Sequence, residues 1–292
     1  MKKHIKTMQT FDYINYAFLI IFSFICLYPM WYVLIGSFNE GLDYVKGGVW
    51  FLPRVPTHAN YVIIFNDSRL WVGFFITITR TVIGTLSAVL FTAAVGYGMS
   101  RANLPFRKLI YNFNLFTMFF GGGLVPYFLV INAIGLYDSF WVYIIPGLYS
   151  VYNMIIMQNF FKGIPEEMHE SCVLDGANEY TILFKFYLPL SKPVIATVSL
   201  WVAVGHWNSF FDTMMYTSSE ELQSLQYYLL QVIKEASFVA TGAPLPPEAL
   251  ERISAETVTF AAIIVSSLPI VAIYPFLMKY FEKGILLGSL KG

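Results

Sequence analysis

The polar stretch Glu166–Pro193 has the residue types and spacing that most clearly suggest a specialised role. Pro165, just before it, can occupy the first position of a helix, where its missing N–H costs nothing. Three carboxylates then fall near the positive end of the helix dipole, namely Glu166, Glu167 and Glu170. We therefore expect a short helix with an acidic beginning.

A turn should follow at Asp175-Gly176, because glycine accepts left-handed backbone angles and aspartate can bond its own backbone. We expect a second helix from about Asn178 towards Tyr187, ended by Leu188-Pro189. Taken alone, two short helices joined by a turn could also be an ordinary amphipathic loop between two membrane helices.

Arg80 is a second candidate, since it is the one charge well inside an apolar stretch. A charge inside a membrane indicates a functional site by default. However, Arg80 precedes Arg101 by 21 residues, or roughly 31 Å of helix. If Arg101 marks the inner boundary, Arg80 lies at the outer edge and its side chain can instead snorkel to the interface.

Other residues suggest a solute pathway. Gly122 lies in a run of three glycines followed by Pro126, which predicts a kink or broken turn that could line a cavity. Aromatic faces and amides suit sugar rings, and such groups cluster near the end of a later apolar stretch at Trp201, Trp207 and Asn208. Close helix packing and the usual interfacial tryptophans are the alternatives.

The composition is that of a membrane protein. Of 292 residues, 57% are hydrophobic and 12% charged, and the mean hydropathy is +0.61, so there is too little polar surface for a soluble globule. The net charge is zero, and no basic patch suggests nucleic acid. The histidines are far apart in sequence, and the two cysteines should lie at different depths, so we expect no metal site, disulfide or cofactor.

Six stretches reach the roughly 20 apolar residues that a membrane helix needs. They are about Tyr13–Ile35, Val72–Gly98, Leu109–Asn132, Phe140–Phe160, Leu188–Phe211 and Val258–Met278. The first is too long for the apolar part of a signal peptide, so we interpret it as a retained anchor.

Lysine and arginine placement predicts the orientation. With the N-terminus inside, twelve of the 18 Lys and Arg residues fall on inner segments and five on outer loops, with Arg80 in a span. Both termini and a loop at about 165–189 are then cytoplasmic, and long outer loops cover about 36–71 and 213–257. We expect residues 1–292 to form a single all-α transmembrane domain.

Glu170-Ser171-Cys172, three residues, Gly176, nine residues, Phe186, one residue and Leu188-Pro189 resemble the EAA loop of permease subunits in binding-protein-dependent ABC importers. Ser171 and Cys172 replace two alanines of the family pattern, and Phe186 replaces an isoleucine. Residues 120–126, 204–208 and 279–292 are similar to the carbohydrate-uptake permeases, especially the second permease of polysaccharide and oligosaccharide importers.

The resemblance implies the type I importer permease fold and a polytopic subunit of six helices in the bacterial cell membrane. It also implies four kinds of partner besides the lipid bilayer: a second homologous permease forming a heterodimer, two ATPase subunits, an extracellular solute-binding protein, and a sugar or oligosaccharide. The chain itself would hydrolyse no ATP, and a Walker sequence is absent from it.

The resemblance also assigns residues to each contact. The coupling loop that docks on the ATPase includes Glu170, Ser171, Cys172, Asp175, Gly176, Ala177, Leu188 and Pro189. By similarity to the maltose importer, the C-terminal tail contacts the ATPase through Gly284, Gly288, Lys291 and Gly292. The last outer loop would reach the binding protein through Gly242, Pro244, Pro246 and Pro247, although it could instead be a lid over this subunit.

Two other classes of protein fit the sequence less well than an importer permease. An ion-coupled secondary transporter of small polar solutes usually needs a carboxylate near mid-membrane, and none of the six spans contains Asp or Glu. A membrane enzyme would need a metal cluster, Cys/His pair or carboxylate pair at one depth, which the sequence does not suggest.

Overall fold

The computed structural model describes residues 10–240 and 254–289. Within them the regular secondary structure is helical, apart from one isolated bridge between Asn39 and Pro56, so the predicted all-α membrane protein is confirmed. The α-helices are α1 Thr10–Ser37, α2 Gly41–Val45, α3 Ala59–Asn66, α4 Ser68–Ser100, α5 Arg107–Phe119, α6 Leu124–Ala133, α7 Val151–Phe161, α8 Glu166–Leu174, α9 Glu179–Ile182, α10 Leu188–Leu190, α11 Lys192–Asn208, α12 Phe211–Tyr216, α13 Leu225–Ala240 and α14 Ala255–Ser289.

Shorter turns of helix connect them. The 3₁₀ turns are Phe140–Tyr143, Ile145–Gly147 and Glu220–Leu222, and a π-helical turn spans Leu183–Tyr187.

Three helices are each long and apolar enough to cross a membrane: α1, α4 and the Ala255–Ile273 part of α14. Three further candidates are helix pairs bent at a break. The bend is 115° between α5 and α6, 48° between Phe140–Gly147 and α7, and 86° between Glu179–Leu190 and α11. The six predicted spans are reached when each bent pair forms one span.

The break between α5 and α6 lies at the predicted glycine run. Gly123 has a φ of +86°, a backbone angle that favours glycine over residues with a Cβ. α6 then begins, with Pro126 in its first turn, where a missing N–H is tolerated. The predicted broken turn is therefore confirmed.

The described chain forms two compact units. The first combines parts of Met1–Asp67 and Gln231–Ser267, and the second combines parts of Ser68–Leu230 and Leu268–Gly292. In the first unit the buried Asn60 amide donates to the carbonyls of Ser37 and Asn39 and accepts from Thr257 at 3.0 Å. These bonds join the end of α1, the start of α3 and the start of α14.

In the second unit α4 packs against α7 and α11, and small residues allow the close approach. A Cβ on Gly84 would lie 2.3 Å from Nε2 of His206, and one on Gly96 would lie 3.3 Å from Cβ of Met157. Large side chains at these positions would push α4 away from its neighbours. Gly84 and Gly96 of α4 thus serve helix packing.

Candidate coupling surface and interior cavity

Residues 165–190 form two short helical segments joined by a turn. α8 follows Pro165 and has Glu166 and Glu167 in its first turn, where carboxylates complement the helix dipole. Its end is a Schellman motif, in which the Ala177 N–H donates to the Cys172 carbonyl at 2.9 Å.

Gly176 occupies the position in this turn that favours glycine. Its φ is +80°, and its N–H donates to the Val173 carbonyl at 2.9 Å. A Cβ there would meet no atom within 4 Å, so the preference for glycine comes from the backbone angle alone. The sequence prediction of a left-handed turn at Asp175-Gly176 is confirmed for Gly176.

The predicted end of the second segment at Leu188-Pro189 is wrong, because helical backbone continues through Leu190. The π-helical turn Leu183–Tyr187 immediately precedes Pro189. A wider turn relieves the clash that a proline ring makes with the carbonyl four residues earlier in an α-helix. The break falls instead at Ser191, whose N–H donates to the Tyr187 carbonyl at 3.0 Å.

The loop is fastened to the end of α4. Arg101, which follows α4, forms an ion pair with Glu166 and donates from Nη1 to the Tyr187 hydroxyl at 2.7 Å. The Tyr97 hydroxyl, one turn earlier on α4, donates to Glu179 on α9. Both helical segments of the loop are therefore bonded to one long helix.

His169 lies between the two carboxylates of this network. Its Nε2 is 3.4 Å from Glu179 and its Nδ1 is 3.9 Å from Glu166. Beside it, Cys172 is buried in a cluster with Phe161 and Tyr187. This packing explains why a small side chain is needed at the position where the family pattern has alanine.

The loop exposes apolar side chains near its turn. Leu174 is 88% exposed, Tyr180 is 77% exposed and Val173 is 49% exposed. With the exposed Glu170 of α8, these residues form what we call the coupling surface. Exposed apolar clusters rimmed by charge mark protein contact sites, so this surface is suited to bind another protein.

The other predicted coupling residues occupy different places. Ser171 and Asp175 are exposed, and the Ser171 hydroxyl donates to the Glu167 carbonyl at 2.7 Å. Leu188 and Pro189 lie in α10, away from the tip of the loop. Gly284 and Gly288 lie in α14, while Lys291, Gly292 and the loop residues Gly242, Pro244, Pro246 and Pro247 fall outside the described residues.

The second candidate site is built around Arg80. Its guanidinium binds the Asp212 carboxylate through both terminal nitrogens, with Nη1 to Oδ1 at 3.1 Å. It also lies 4.2 Å from the ring centre of Tyr143, a cation–π contact. The Arg80 side chain is only 2% exposed. The snorkelling interpretation of Arg80 is therefore wrong, because a carboxylate from α12 pairs with the charge inside the protein.

Hydrogen bonds from neighbouring residues fix the Asp212 carboxylate in place beside Arg80. Its Oδ1 accepts from the Ser209 hydroxyl at 2.9 Å and from the Thr213 N–H at 3.0 Å. These bonds offset part of the cost of burying the pair, although the Nε of Arg80 has no hydrogen-bond partner among the described residues. Since the two charges cancel, the surrounding space carries no net charge from the pair.

The pair lines a cavity of about 340 Å³ within the second unit. The cavity combines aromatic rings with hydroxyl, imidazole and ionic groups. Its walls come from α4, α6, the segment 142–147, α11 and α12, and the lining residues that carry polar groups are Arg80, Tyr127, Tyr143, His206, Ser209, Asp212 and Tyr216. Such a wall suits a polar solute whose apolar faces can stack on the aromatic rings and whose polar edges can form hydrogen bonds with the other groups.

The sequence-derived pathway residues are only partly brought together. Arg80 lines the cavity, whereas Gly122, Trp201, Trp207 and Asn208 are not among its lining residues. Trp207 is buried, and the Trp201 ring lies 6.1 Å from that of Tyr152.

The tyrosines of the cavity wall were missed by sequence reasoning. Tyr127 and Tyr216 have ring centroids 5.8 Å apart, although 89 residues separate them. Asp212 could have been predicted from the sequence. It is a carboxylate that closely follows the fifth apolar stretch, and Arg80 has no oppositely charged residue in its own stretch.

Known proteins share this architecture. A family model described as binding-protein-dependent transport system inner membrane component matches residues 104–287. The polygalacturonan/rhamnogalacturonan transport system permease protein YtcP of Bacillus subtilis (strain 168) is 36% identical over 291 residues, covering 97% of this chain and 99% of the relative. Protein LplC of the same organism is 35% identical over 292 residues, covering 98% and 97%.

A solved structure is similar over the same length. One chain in the crystal structure of a bacterial ABC transporter involved in the import of the acidic polysaccharide alginate has a TM-score of 0.86 and 31% identity. The match covers 96% of this chain and 100% of that one. The resemblance found in the EAA loop is thus confirmed over the whole length, and the chain belongs to the family of binding-protein-dependent transport system inner membrane components, as a permease subunit and not an enzyme.

Proposed function

We propose that this chain is the sugar-translocating permease subunit of an ATP-driven importer in the bacterial cell membrane. It pairs with a second homologous permease, and each permease docks on one of two ATPase subunits. The observation that carries the proposal is the coupling surface, which exposes Leu174 and Tyr180 at the tip of a loop fastened to α4 by Arg101. Exposed apolar side chains on a loop that is bonded at its base support docking of a protein partner.

In this proposal, closure of the ATPase dimer moves the coupling surface, and the Arg101–Glu166 ion pair passes that movement to α4. α4 is one unbroken helix of 33 residues, with Arg80 at the cavity. The coupling surface docks on the ATPase together with the exposed Ser171 and Asp175, while the buried Cys172 packs behind it. Leu188 and Pro189 shape the return into the next span. Residues 284–292 form a second ATPase contact.

A saccharide is the proposed solute. The relatives are named for polygalacturonan/rhamnogalacturonan transport and for alginate import. The tyrosine rings and hydroxyls of the cavity wall provide stacking faces and hydrogen-bond partners of the kind a sugar ring needs, and the volume of about 340 Å³ is at the small end of ligand sites. Because Asp212 neutralises Arg80, the cavity favours hydroxyl recognition over binding of a free anion.

The solute is delivered by an extracellular binding protein, which contacts the outer loop at 242–247. The orientation follows from the lysine and arginine asymmetry, with both termini cytoplasmic, and the whole chain acts as one transmembrane domain.

Deleting Gly242–Pro247 should keep basal ATP hydrolysis in proteoliposomes but remove its stimulation by loaded binding protein. Full stimulation after the deletion would mean that the loop is only a lid.

Uptake in proteoliposomes tests the proposal against an ion-coupled transporter. The assembled complex should accumulate labelled oligosaccharide only with binding protein outside and ATP inside. Accumulation driven by a proton or sodium gradient without ATP would overturn it.

A further inference from the structure

A loop of the first unit folds back along α1 and exposes three consecutive apolar side chains. These are Trp50, Phe51 and Leu52, which are 61%, 60% and 72% exposed. We call residues 50–52 the apolar tip. Isolated exposed apolar residues are common, but three in a row on a loop mark a contact surface.

The exposure of the apolar tip does not come from a loosely held loop. Asn39, fully buried, accepts from the N–H groups of Arg54 at 2.7 Å and Val55 at 3.1 Å. The Arg54 guanidinium pairs with Asp43 at 3.0 Å, and Val49 is 3% exposed. The base of the loop is thus fixed, and it holds the apolar tip outwards.

Two side chains of α1 bind the backbone of the apolar tip. The Trp31 Nε1–H donates to the Phe51 carbonyl at 3.1 Å, and the Tyr28 hydroxyl donates to the Trp50 carbonyl at 3.4 Å. The rings of Tyr28 and Phe51 lie 5.9 Å apart. A loop in lipid needs such partners, because the hydrocarbon offers no hydrogen bonds to a free carbonyl.

The position along α1 gives the depth. Tyr28 and Trp31 precede Ser37, the end of α1, by nine and six residues, or about 14 and 9 Å at roughly 1.5 Å per residue. The 28 residues of α1 span about 42 Å, against roughly 30 Å of hydrocarbon, so a centred helix extends about 6 Å beyond it at each end. Tyr28 and Trp31 then lie about 8 and 3 Å inside the hydrocarbon boundary, so the apolar tip bonded to them lies in the outermost part of the hydrocarbon.

We propose that the apolar tip inserts into the bilayer leaflet at the carboxyl-terminal end of α1 and anchors this unit to lipid. The surface is continuous with α1, of which only 6% of the most apolar window is buried. Its aromatic composition, with Tyr28, Trp31 and Trp50 joined by hydrogen bonds to the 50–51 backbone, is that of an interfacial belt. This inference does not depend on which solute is carried.

Fluorescence quenching in nanodiscs holding the assembled transporter tests the anchor. An environment-sensitive fluorophore is attached at Leu52→Cys, with Lys46→Cys as the matched control on the same loop, both in a Cys26→Ser, Cys172→Ala background. Nitroxide-labelled phosphatidylcholine should quench the label at residue 52 several-fold more than that at residue 46, and aqueous iodide should show the reverse order. Equal iodide quenching at both positions would overturn the proposal. Protection of residue 52 from both quenchers would also overturn it, because a protein partner would then cover the tip.

A second measurement needs no label. Brominated phosphatidylcholine should quench part of the native tryptophan emission, and Trp50→Phe should reduce that quenchable part. An unchanged lipid-quenchable fraction in Trp50→Phe would contradict insertion.

Discussion

Arg101 holds Glu166, so the residue that follows α4 is bonded to the first residue of α8. The same helix carries Arg80 at the cavity wall, 21 residues earlier. α4 therefore runs unbroken from the cavity beside Arg80 towards Arg101, which holds the loop that carries the coupling surface, and this geometry leads to the first prediction.

Arg101→Gln should weaken coupling more than it weakens folding. Glu166 is 59% exposed, so the ion pair itself contributes at most about 1 kcal/mol to stability, and the hydrogen bond from Arg101 to Tyr187 contributes about 1 kcal/mol more. The loop, however, loses its charged link to α4. We expect binding-protein-stimulated ATP hydrolysis to fall several-fold while the thermal unfolding midpoint changes little. Lys108→Gln, a nearby exposed cation, is the control, and an unchanged stimulation in Arg101→Gln would refute the link.

Arg80→Ala should destabilise the protein through the charge that it leaves behind. Breaking a buried pair typically costs 3–5 kcal/mol, and we expect about 3 kcal/mol here, because Asp212 is 23% exposed and keeps some hydration. The double variant Arg80→Met with Asp212→Ala should regain part of the loss. Thermal unfolding in detergent measures these variants together with the single variants Arg80→Met and Asp212→Ala. A double variant destabilised by more than the sum of those two single variants would contradict the pairing.

Gly176→Pro should abolish ATP-coupled uptake while the protein remains in the membrane. Proline cannot adopt the φ of +80° and removes the N–H that bonds to Val173. Gly176→Asn is the matched control, since asparagine tolerates left-handed angles and a Cβ meets no neighbour within 4 Å. Uptake by Gly176→Pro at the level of Gly176→Asn would show that the turn is not needed.

The carboxyl of Asp138, which lies outside the membrane spans, should make the stability of the protein depend on pH. Three hydrogen bonds lower the pKa of this carboxyl. The largest effect comes from the Ser219 hydroxyl, and the N–H groups of Ser219 and Ser218 add to it. A lowered folded-state pKa stabilises above the unfolded pKa of about 3.9, and the contribution is lost as pH falls through the folded pKa. The difference in unfolding midpoint between wild type and Ser219→Ala should be constant above about pH 5 and shrink in more acidic buffer. A difference that grows on acidification would contradict the assignment.

Local patterns were sufficient to predict the spans and the turn. Three of the six apolar stretches correspond to single long helices, because bilayer thickness sets their length, whereas the other three correspond to helix pairs bent at a break. Gly176 needs its left-handed angle for reasons contained in the turn itself. The cavity could not be derived in this way. Arg80 meets Asp212 across 132 residues, and that contact depends on how α4 packs against the helices around it.

The end of the loop at 165–190 also could not be predicted from local sequence patterns. Pro189 predicts a helix stop by local chemistry, yet the π-helical turn before it lets the helix continue. That turn contains Tyr187, which packs against Tyr97 with ring centroids 4.8 Å apart and is buried in the core. Tertiary packing therefore overrode the local rule.

Photo-cross-linking from the coupling surface tests the central claim most directly. A benzophenone side chain is placed at residue 174 in the assembled transporter, and the same probe at residue 52 is the control. We predict an adduct with the ATPase subunit from residue 174 and none from residue 52. Absence of the adduct from residue 174 in an assembled, ATP-hydrolysing complex, or an adduct there with the binding protein, would contradict the account.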